Sequence, residues 1–343
     1  MHLTHYSRMS RIYVLHENST WVEPLRAAFE KQGLPYDEWF LDEGIVPFDQ
    51  PPPEGVFYNR MSASSHTRGH RYGPELTHLV LNYLECYNRR VVNNSRALYL
   101  EISKLAQYAA LNRAGVRTPR TVAAVGRDAV LEAARGFGPE PFILKPNRGG
   151  KGLGVQGFAS VNGVAAYLDG PTLAPPIDGV WLVQDYIQAS EPFIVRCEFV
   201  GGRFLYAVRV DTSEGFELCP ADACQTNGAA TAASRPPKFT LIDGFDDHPI
   251  LEAYRHFLHA NGIEIAGIEF IVDRDGEIWT YDVNTNTNYN AEAEARAGVP
   301  LTGMEAIAQF LGRALREAEK AGRAALQRPA GRKKSLQPWL ERL

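Results

Sequence analysis

PFILKPNRGGKGLGV, residues Pro141 to Val155, is the most informative stretch of the chain. An apolar strand ends in Lys145 and runs into a loop that holds Gly149, Gly150, Gly152 and Gly154. Such a loop lets backbone amides close around phosphate oxygens, and Arg148, Gly150, Lys151 and Gly152 are its candidate nucleotide contacts. A P-loop is excluded, because Gly150-Lys151 is followed by Gly152 and Leu153 where Ser or Thr would have to stand. A dinucleotide fold would need the loop to open a helix, whereas Val155 to Ala159 reads as another strand. A flexible hairpin lid over phosphates fits this pattern; a plain glycine-rich turn between strands is the alternative. Lys145 favours the lid, since a lysine closing an apolar run is costly to bury unless an anion meets its ammonium group.

Downstream, WLVQDYI is an apolar strand ending in Gln184, Asp185, Tyr186 and Ile187, as expected of a hinge whose backbone reads an adenine edge; core strand is the bland alternative. In GIEFIVDRDGEIWTYDVNTNTNYN, Gly267 to Asn290, Glu269 lies in one strand of a hairpin, with Asp282 and Asn284 two apart on the other. Period-two alternation puts Asp282 and Asn284 on one face, and the hairpin can bring Glu269 to it. Three oxygen ligands without sulfur or imidazole suit Mg²⁺, which prefers few protein carboxylates plus phosphates and water. Solvated hairpin ends would not explain carboxylates inside apolar strands. The run from Asn284 to Asn290 offers amides and hydroxyls without charge, so Asn286, Asn288 and Tyr289 are expected beside the substrate. NRMSASSHTRGHRY, Asn59 to Tyr72, sets Arg60, His66 and Arg68 at a strand end of the first module, where α/β sheets bind ligands. Arg60 is expected to clamp the acid's carboxylate, the alternative being a solvated polar loop.

The 343 residues suggest about two domains, and 45% apolar against 22% charged residues indicates a packed fold. A net charge of -4 leaves no basic excess for nucleic acid. Four cysteines are too sparse for a disulfide framework. With no apolar export signal at the N-terminus and no apolar run of about 18 residues, a soluble cytoplasmic protein without a membrane span is expected. RIYVLH (11–16) reads as a strand, Asn18 to Thr20 as a cap, Trp21 to Lys31 as a helix, and residues 35–41 and 55–59 as further strands. Pro74 to Tyr87 is a helix with Leu76, Leu79, Val80, Tyr83 and Leu84 on one face. Val91 to Asn93 closes this parallel α/β unit, and a helical run follows to Arg113. Strands at 121–125 and 142–145 flank a helix at 127–135. Residues 197–210 form a hairpin turning at Gly201-Gly202. Helices follow at 251–261 and 301–325, and 227–237 reads as an exposed loop.

Together the glycine loop with Lys145, the Gln184 hinge and the Glu269…Asp282-x-Asn284 set resemble the ATP-grasp superfamily, most nearly RimK-like carboxylate-amine ligases, over residues 11 to about 318. The resemblance implies an α/β (α+β) architecture. In it a parallel pre-ATP-grasp domain (11–94) precedes an ATP-grasp domain (95–325), whose lid subdomain (about 119–187) and C-terminal subdomain (about 188–325) are antiparallel and clasp ATP. A flexible start (1–10) and a basic tail (326–343) flank them. It also implies that Lys104, in Ser103-Lys104-Leu105, joins Lys145 on the phosphates, that Gln184 to Ile187 line the adenine pocket, and that Glu269, Asp282 and Asn284 hold Mg²⁺, with Mn²⁺ as a substitute. Arg196 matches the family's D-x-R-C stretch and Arg209 its basic residue near the transferred phosphate; these, with Lys145, are the expected catalytic groups. The sequence departs from the family where Thr285 to Asn290 replace a Pro-Gly turn. Ile194 replaces an aspartate, shifting the ribose contact to Glu191, and FELCPADAC (216–224) replaces a basic stretch. Cys224 is a nucleophile or, more simply, an ordinary thiol.

The implied activity transfers a phosphoryl group to a carboxylate, and an amine then attacks the acyl phosphate to give an amide, ADP and phosphate. Partners are then small carboxylates and amines, with a peptide substrate and self-association left open. An ATP-grasp kinase, a thiol-directed ligase and an inactive nucleotide-binding module are the competing readings.

Overall fold

The computed structural model describes residues 10–150, 152–171, 173–213 and 237–326. Lys151, Asp222, Cys219, Cys224, the loop at 227–236 and the basic tail from 327 therefore lie outside the described residues, as does the start of the chain to residue 9.

The first sheet is parallel, ordered β2-β1-β3-β4, from β1 (Arg11–His16), β2 (Tyr36–Phe40), β3 (Gly55–Asn59) and β4 (Arg90–Val92). β3 is buried at every position, which its apolar sequence requires of a strand covered on both faces. Helix α1 (Ser19–Lys31) starts where the Asn18 side chain accepts a hydrogen bond from the Trp21 amide at 3.2 Å. Helix α2 (Gly73–Cys86) buries Val80, Leu81, Tyr83 and Leu84, whereas Leu79 is 50% exposed, so its inner face is rotated from the one expected.

The helical run before Arg113 is two helices, α3 (Ser95–Glu101) and α4 (Lys104–Arg113). It breaks because Ser103 adopts extended backbone and caps α4 through the Ala106 amide, which puts Lys104 at a helix start. An antiparallel sheet, β5-β8-β6-β7, follows from β5 (Thr121–Val125), β6 (Phe142–Pro146), β7 (Gln156–Phe158) and β8 (Val180–Asp185). It is backed by α5 (Arg127–Arg135) and by α6 (Val161–Leu168), a helix the sequence reading passed over.

The third sheet, also antiparallel, is ordered β11-β10-β9-β12-β13, from β9 (Phe193–Val200), β10 (Arg203–Asp211), β11 (Phe239–Ile242), β12 (Ile265–Val272) and β13 (Ile278–Asn284). The β9–β10 turn is Gly201-Gly202, both at left-handed φ of 62° and 69°, as a tight hairpin demands. Helix α7 (Ile250–Ala260) covers this sheet, α8 (Ala291–Ala297) is capped by Asn290, and α9 (Gly303–Leu326) ends the described chain. Met304, Ile307 and Leu311 of α9 are buried with Ile12 and Val14 of β1 and with Val200 and Ile265, so one apolar core joins the first and third sheets.

Candidate active site

A cavity of about 570 Å³ opens among the three sheets. Its floor carries the two lysines. Lys145, the penultimate residue of β6, is 6% exposed and donates to the Tyr108 hydroxyl at 2.7 Å and to Gln184 Oε1 at 2.8 Å. Gln184 in turn donates to Thr121 Oγ1, which fixes the acceptor that faces the lysine. Lys104 pairs with Asp282 at 2.5 Å. Burial alone would lower the Lys104 pKa, but the Asp282 carboxylate, together with Tyr108 and Glu269, outweighs it and raises it. Asn147 brings the two lysines together: its backbone carbonyl accepts from the Lys104 amide at 3.2 Å and its side-chain oxygen from the Leu105 amide at 3.0 Å, tying the start of α4 to the end of β6.

Over this floor stand Gly149, Gly150, Gly152 and Leu153 of the glycine loop, with Gly152 and Gly154 at left-handed φ of 74°. Gln184, Asp185, Tyr186, Ile187 and Glu191 form a continuous wall. Burial raises the Asp185 pKa. The far wall is the β12–β13 hairpin: Glu269 pairs in register with Asp282 and Gly267 with Asn284, and all three oxygen-bearing side chains reach the cavity. Glu269 Oε1 accepts from Arg196 at 2.7 Å and Oε2 from the Tyr281 hydroxyl at 3.0 Å. Burial pushes its carboxyl pKa up, against the lowering pull of Arg196. Among the described residues no cluster of three or more His, Cys, Asp or Glu is poised for a metal. Two carboxylates and an amide oxygen nonetheless fit Mg²⁺, which takes its remaining ligands from phosphates and water.

Several expected contacts are elsewhere. Arg60 is 2% exposed and lies outside the cavity wall; it donates to Asn286 Oδ1 at 3.0 Å, to the Thr287 carbonyl at 3.1 Å and to Asn288 Oδ1 at 2.8 Å. It is thus a strut beneath the Asn284–Asn290 run, with its nitrogens bonded to three protein oxygens and the Met304 sulfur. Asn286 and Asn288 do reach the cavity, but Tyr289 turns into the core against Tyr206 and Gly303. Arg148, expected at the nucleotide, lies outside the cavity wall and pairs with Glu75 of α2 at 2.7 Å. Arg68 is held by Glu17 at 2.6 Å and lies over Trp21, and neither it nor His66 lines the cavity. Burial and nearby Arg148 lower the His66 pKa. Arg209 stacks on Phe193 at 3.9 Å, half exposed near Glu191 and away from the cavity wall. Arg196 lines the cavity with its guanidinium bonded to Glu198, Glu269 and Thr287.

The sequence reading missed Tyr108, Glu198, Ser62, Ser64 and Glu101. Tyr108 stands one helical turn from Lys104, and Glu198 is a charge inside an apolar strand, so both carried a signal. Ser62 and Ser64 line the cavity, and Ser64 faces Gly150. Glu101, whose pKa burial raises, accepts from the Thr285 amide at 2.7 Å.

No family model matches the chain. A probable alpha-L-glutamate ligase of Xylella fastidiosa (strain M12) is 26% identical over 214 residues, 61% of this chain and 64% of that protein. Another, from Teredinibacter turnerae, is 29% identical over 136 residues, 40% of this chain and 44% of that one. The chain therefore matches less than two thirds of the length of these curated relatives. Among solved structures, the RimK domain ATP-grasp protein of Sphaerobacter thermophilus superposes with a TM-score of 0.60 at 17% identity, covering 88% of this chain and 99% of that one. The ATP-grasp ligase PsnB, complexed with a minimal precursor, gives 0.61 at 16% identity, covering 88% and 98%. The chain has the ATP-grasp fold. Its parallel first sheet and two antiparallel sheets are the layers expected of that fold, and the RimK-like resemblance is matched by these relatives. Other PsnB structures contain Mg and ADP. Among the described residues no helix is long and apolar enough to cross a membrane.

Proposed function

We propose that this chain is an ATP-dependent ligase that activates a substrate carboxylate as an acyl phosphate and joins it to an amine, releasing ADP and phosphate. The observation that carries this reading is the convergence of Lys104, Lys145, Glu269, Asp282 and Asn284 on one cavity roofed by the glycine loop. Phosphoryl transfer between two anions needs their repulsion offset, and the lysines supply that charge. Glu269, Asp282 and Asn284 would hold Mg²⁺, or Mn²⁺ in its place, which supplies further positive charge at the reacting phosphates. In this reading Gln184 to Ile187, which line the cavity, present backbone to the adenine, and Glu191 takes the ribose contact. Gly149 to Gly154 close over the site and keep water from the acyl phosphate. Ser62, Ser64, Asn286 and Asn288 make a neutral polar wall for the substrate. The relatives' name makes L-glutamate the first amine to try. Domains at 11–94 and 95–325 and a cytoplasmic location belong to the same proposal.

The decisive experiment incubates the protein with ATP, Mg²⁺ and pools of carboxylates and amines, with hydroxylamine as a trap. Carboxylate-dependent ADP release with hydroxamate, and an amide when amine replaces hydroxylamine, is expected. ADP release accompanied by a phosphate ester and no hydroxamate would mark a kinase, and nucleotide binding without turnover a regulatory module.

A further inference from the structure

The Arg196 guanidinium is held from three sides. Its Nε donates to Glu198 at 2.5 Å, one terminal nitrogen to Glu269 Oε1 at 2.7 Å and the other to Thr287 Oγ1 at 2.6 Å. Thr287 then donates to Glu198 Oε2 at 2.8 Å, closing a ring of bonds. Arg196, Glu198, Glu269 and Thr287 are 6%, 2%, 7% and 0% exposed. In the β9–β12 register Glu198 faces Gly267 and Arg196 faces Glu269, so the guanidinium crosses β12 at Gly267. A Cβ on Gly267 would lie 2.5 to 2.7 Å from three guanidinium atoms, a contact that nothing but glycine avoids. Glu198, Thr287 and Gly267 are all absent from the cavity wall.

We propose that Glu198, Thr287 and Gly267 are positioning residues that hold Arg196 to a single bond with Glu269, leaving this carboxylate able to ligate the metal beside the bonds it accepts from Tyr281 and Asn284. The argument is geometric. A guanidinium is a rigid fork that prefers to grip a carboxylate through two parallel bonds. Here Glu198 and Thr287 occupy the rest of the fork, so Glu269 accepts one bond from it. Without them the fork turns onto both Glu269 oxygens and competes with the cation. Gly267 provides the space in which the guanidinium lies flat; a methyl group there would displace it towards the cavity.

This inference rests on the metal role proposed for Glu269, and its test separates the two. Mn²⁺ binding to the full chain loaded with ADP, followed by loss of the free-ion paramagnetic resonance signal, reads metal affinity without turnover. Glu198→Gln, Thr287→Val and Gly267→Ala should each weaken Mn²⁺ about tenfold, as loss of groups that orient a ligand does. Metal-free ADP affinity should stay at the parent value, and Thr287→Ser should recover most of the loss. Parent-like Mn²⁺ affinity in all three variants, with or without a lowered melting temperature, while Glu269→Gln binds Mn²⁺ poorly, would overturn the positioning role alone. Parent-like affinity in Glu269→Gln as well would remove the metal site and this inference together. Should Glu198→Gln fail to fold, the near-isosteric pair Thr287→Val and Thr287→Ser decides.

Discussion

Lys145 and Lys104 show how differently two lysines in one cavity can be held. Lys145 is almost fully buried, and its bonded partners are a hydroxyl and an amide oxygen, both neutral. A buried ammonium so placed is completed by an anion, which the proposed ATP phosphates supply. Lys145→Met should therefore weaken ATP binding by roughly 1.5–3 kcal/mol in calorimetry while the ligand-free melting temperature holds or rises. Lys104 instead has Asp282 as a counter-charge, and its pKa is raised because that carboxylate, with Tyr108 and Glu269, outweighs burial. A raised lysine keeps its stabilising contribution below its ordinary pKa and loses it only as pH climbs through the raised value. The melting-temperature difference between parent and Lys104→Ala should accordingly stay constant from about pH 6 to 9. A difference that shrinks within that window would mean that Lys104 titrates early and the pair with Asp282 is weak.

Among the elements, the glycine loop is the one whose anchoring changes its meaning. Arg148 stands at the head of the loop and is bound to Glu75 in the first turn of α2, so the loop is moored to the first sheet's layer. For Glu75 burial would raise the pKa, but the hydrogen bonds from Arg148 and from its own backbone amide, with the charges of Arg148 and Arg71, prevail and lower it. A depressed carboxyl pKa gives a contribution present above its ordinary value and lost as pH falls through the lowered one. Glu75→Gln should speed amide exchange at residues 149–154 near neutral pH, after correction for intrinsic rates. The parent should approach the variant only in acid below the ordinary carboxylate range. The hairpins were legible because Gly201-Gly202 and Asp275-Gly276 interrupt period-two strands. Helix α6 was not, since VNGVAAYL mixes glycine and β-branched residues with alanine and leaves no clear period. The Ser103 break was also missed, because a cap and an interior serine look alike until the backbone turns.

For the whole molecule, Asn93 is the clasp. It is 0% exposed, adopts a left-handed φ of 56°, and ends the first sheet next to the hairpin that carries the proposed metal ligands. Its amide donates to the Ile265 and Thr285 carbonyls at 2.8 and 2.9 Å, and its oxygen accepts from the Glu264 and Ile265 amides at 3.0 and 3.2 Å. Asparagine tolerates this backbone, and alanine would remove all four of these bonds, three of them buried. Asn93→Ala should cost about 3 kcal/mol in denaturant unfolding. A cost below about 1 kcal/mol would show that water replaces the clasp.

From sequence alone the fold was legible, and so were those candidate residues whose evidence is short-range and which meet at one cavity: the glycine loop after Lys145, the strand end at Gln184, and Asp282 and Asn284 two apart on one strand. Local periodicity sets which side of its strand a side chain leaves by. It does not say what packs against that side. Arg60 was read as a substrate clamp because it ends a parallel strand, yet its acceptors, Asn286 and Asn288, come 226 and 228 residues later. The same holds for Tyr289, drawn into the core beneath α9, and for Arg148, claimed by Glu75 73 residues earlier. Whether a polar side chain faces a ligand or another part of the chain is decided by which segments meet across the layers. A buried charge takes the nearest oxygen that the assembled tertiary structure offers it.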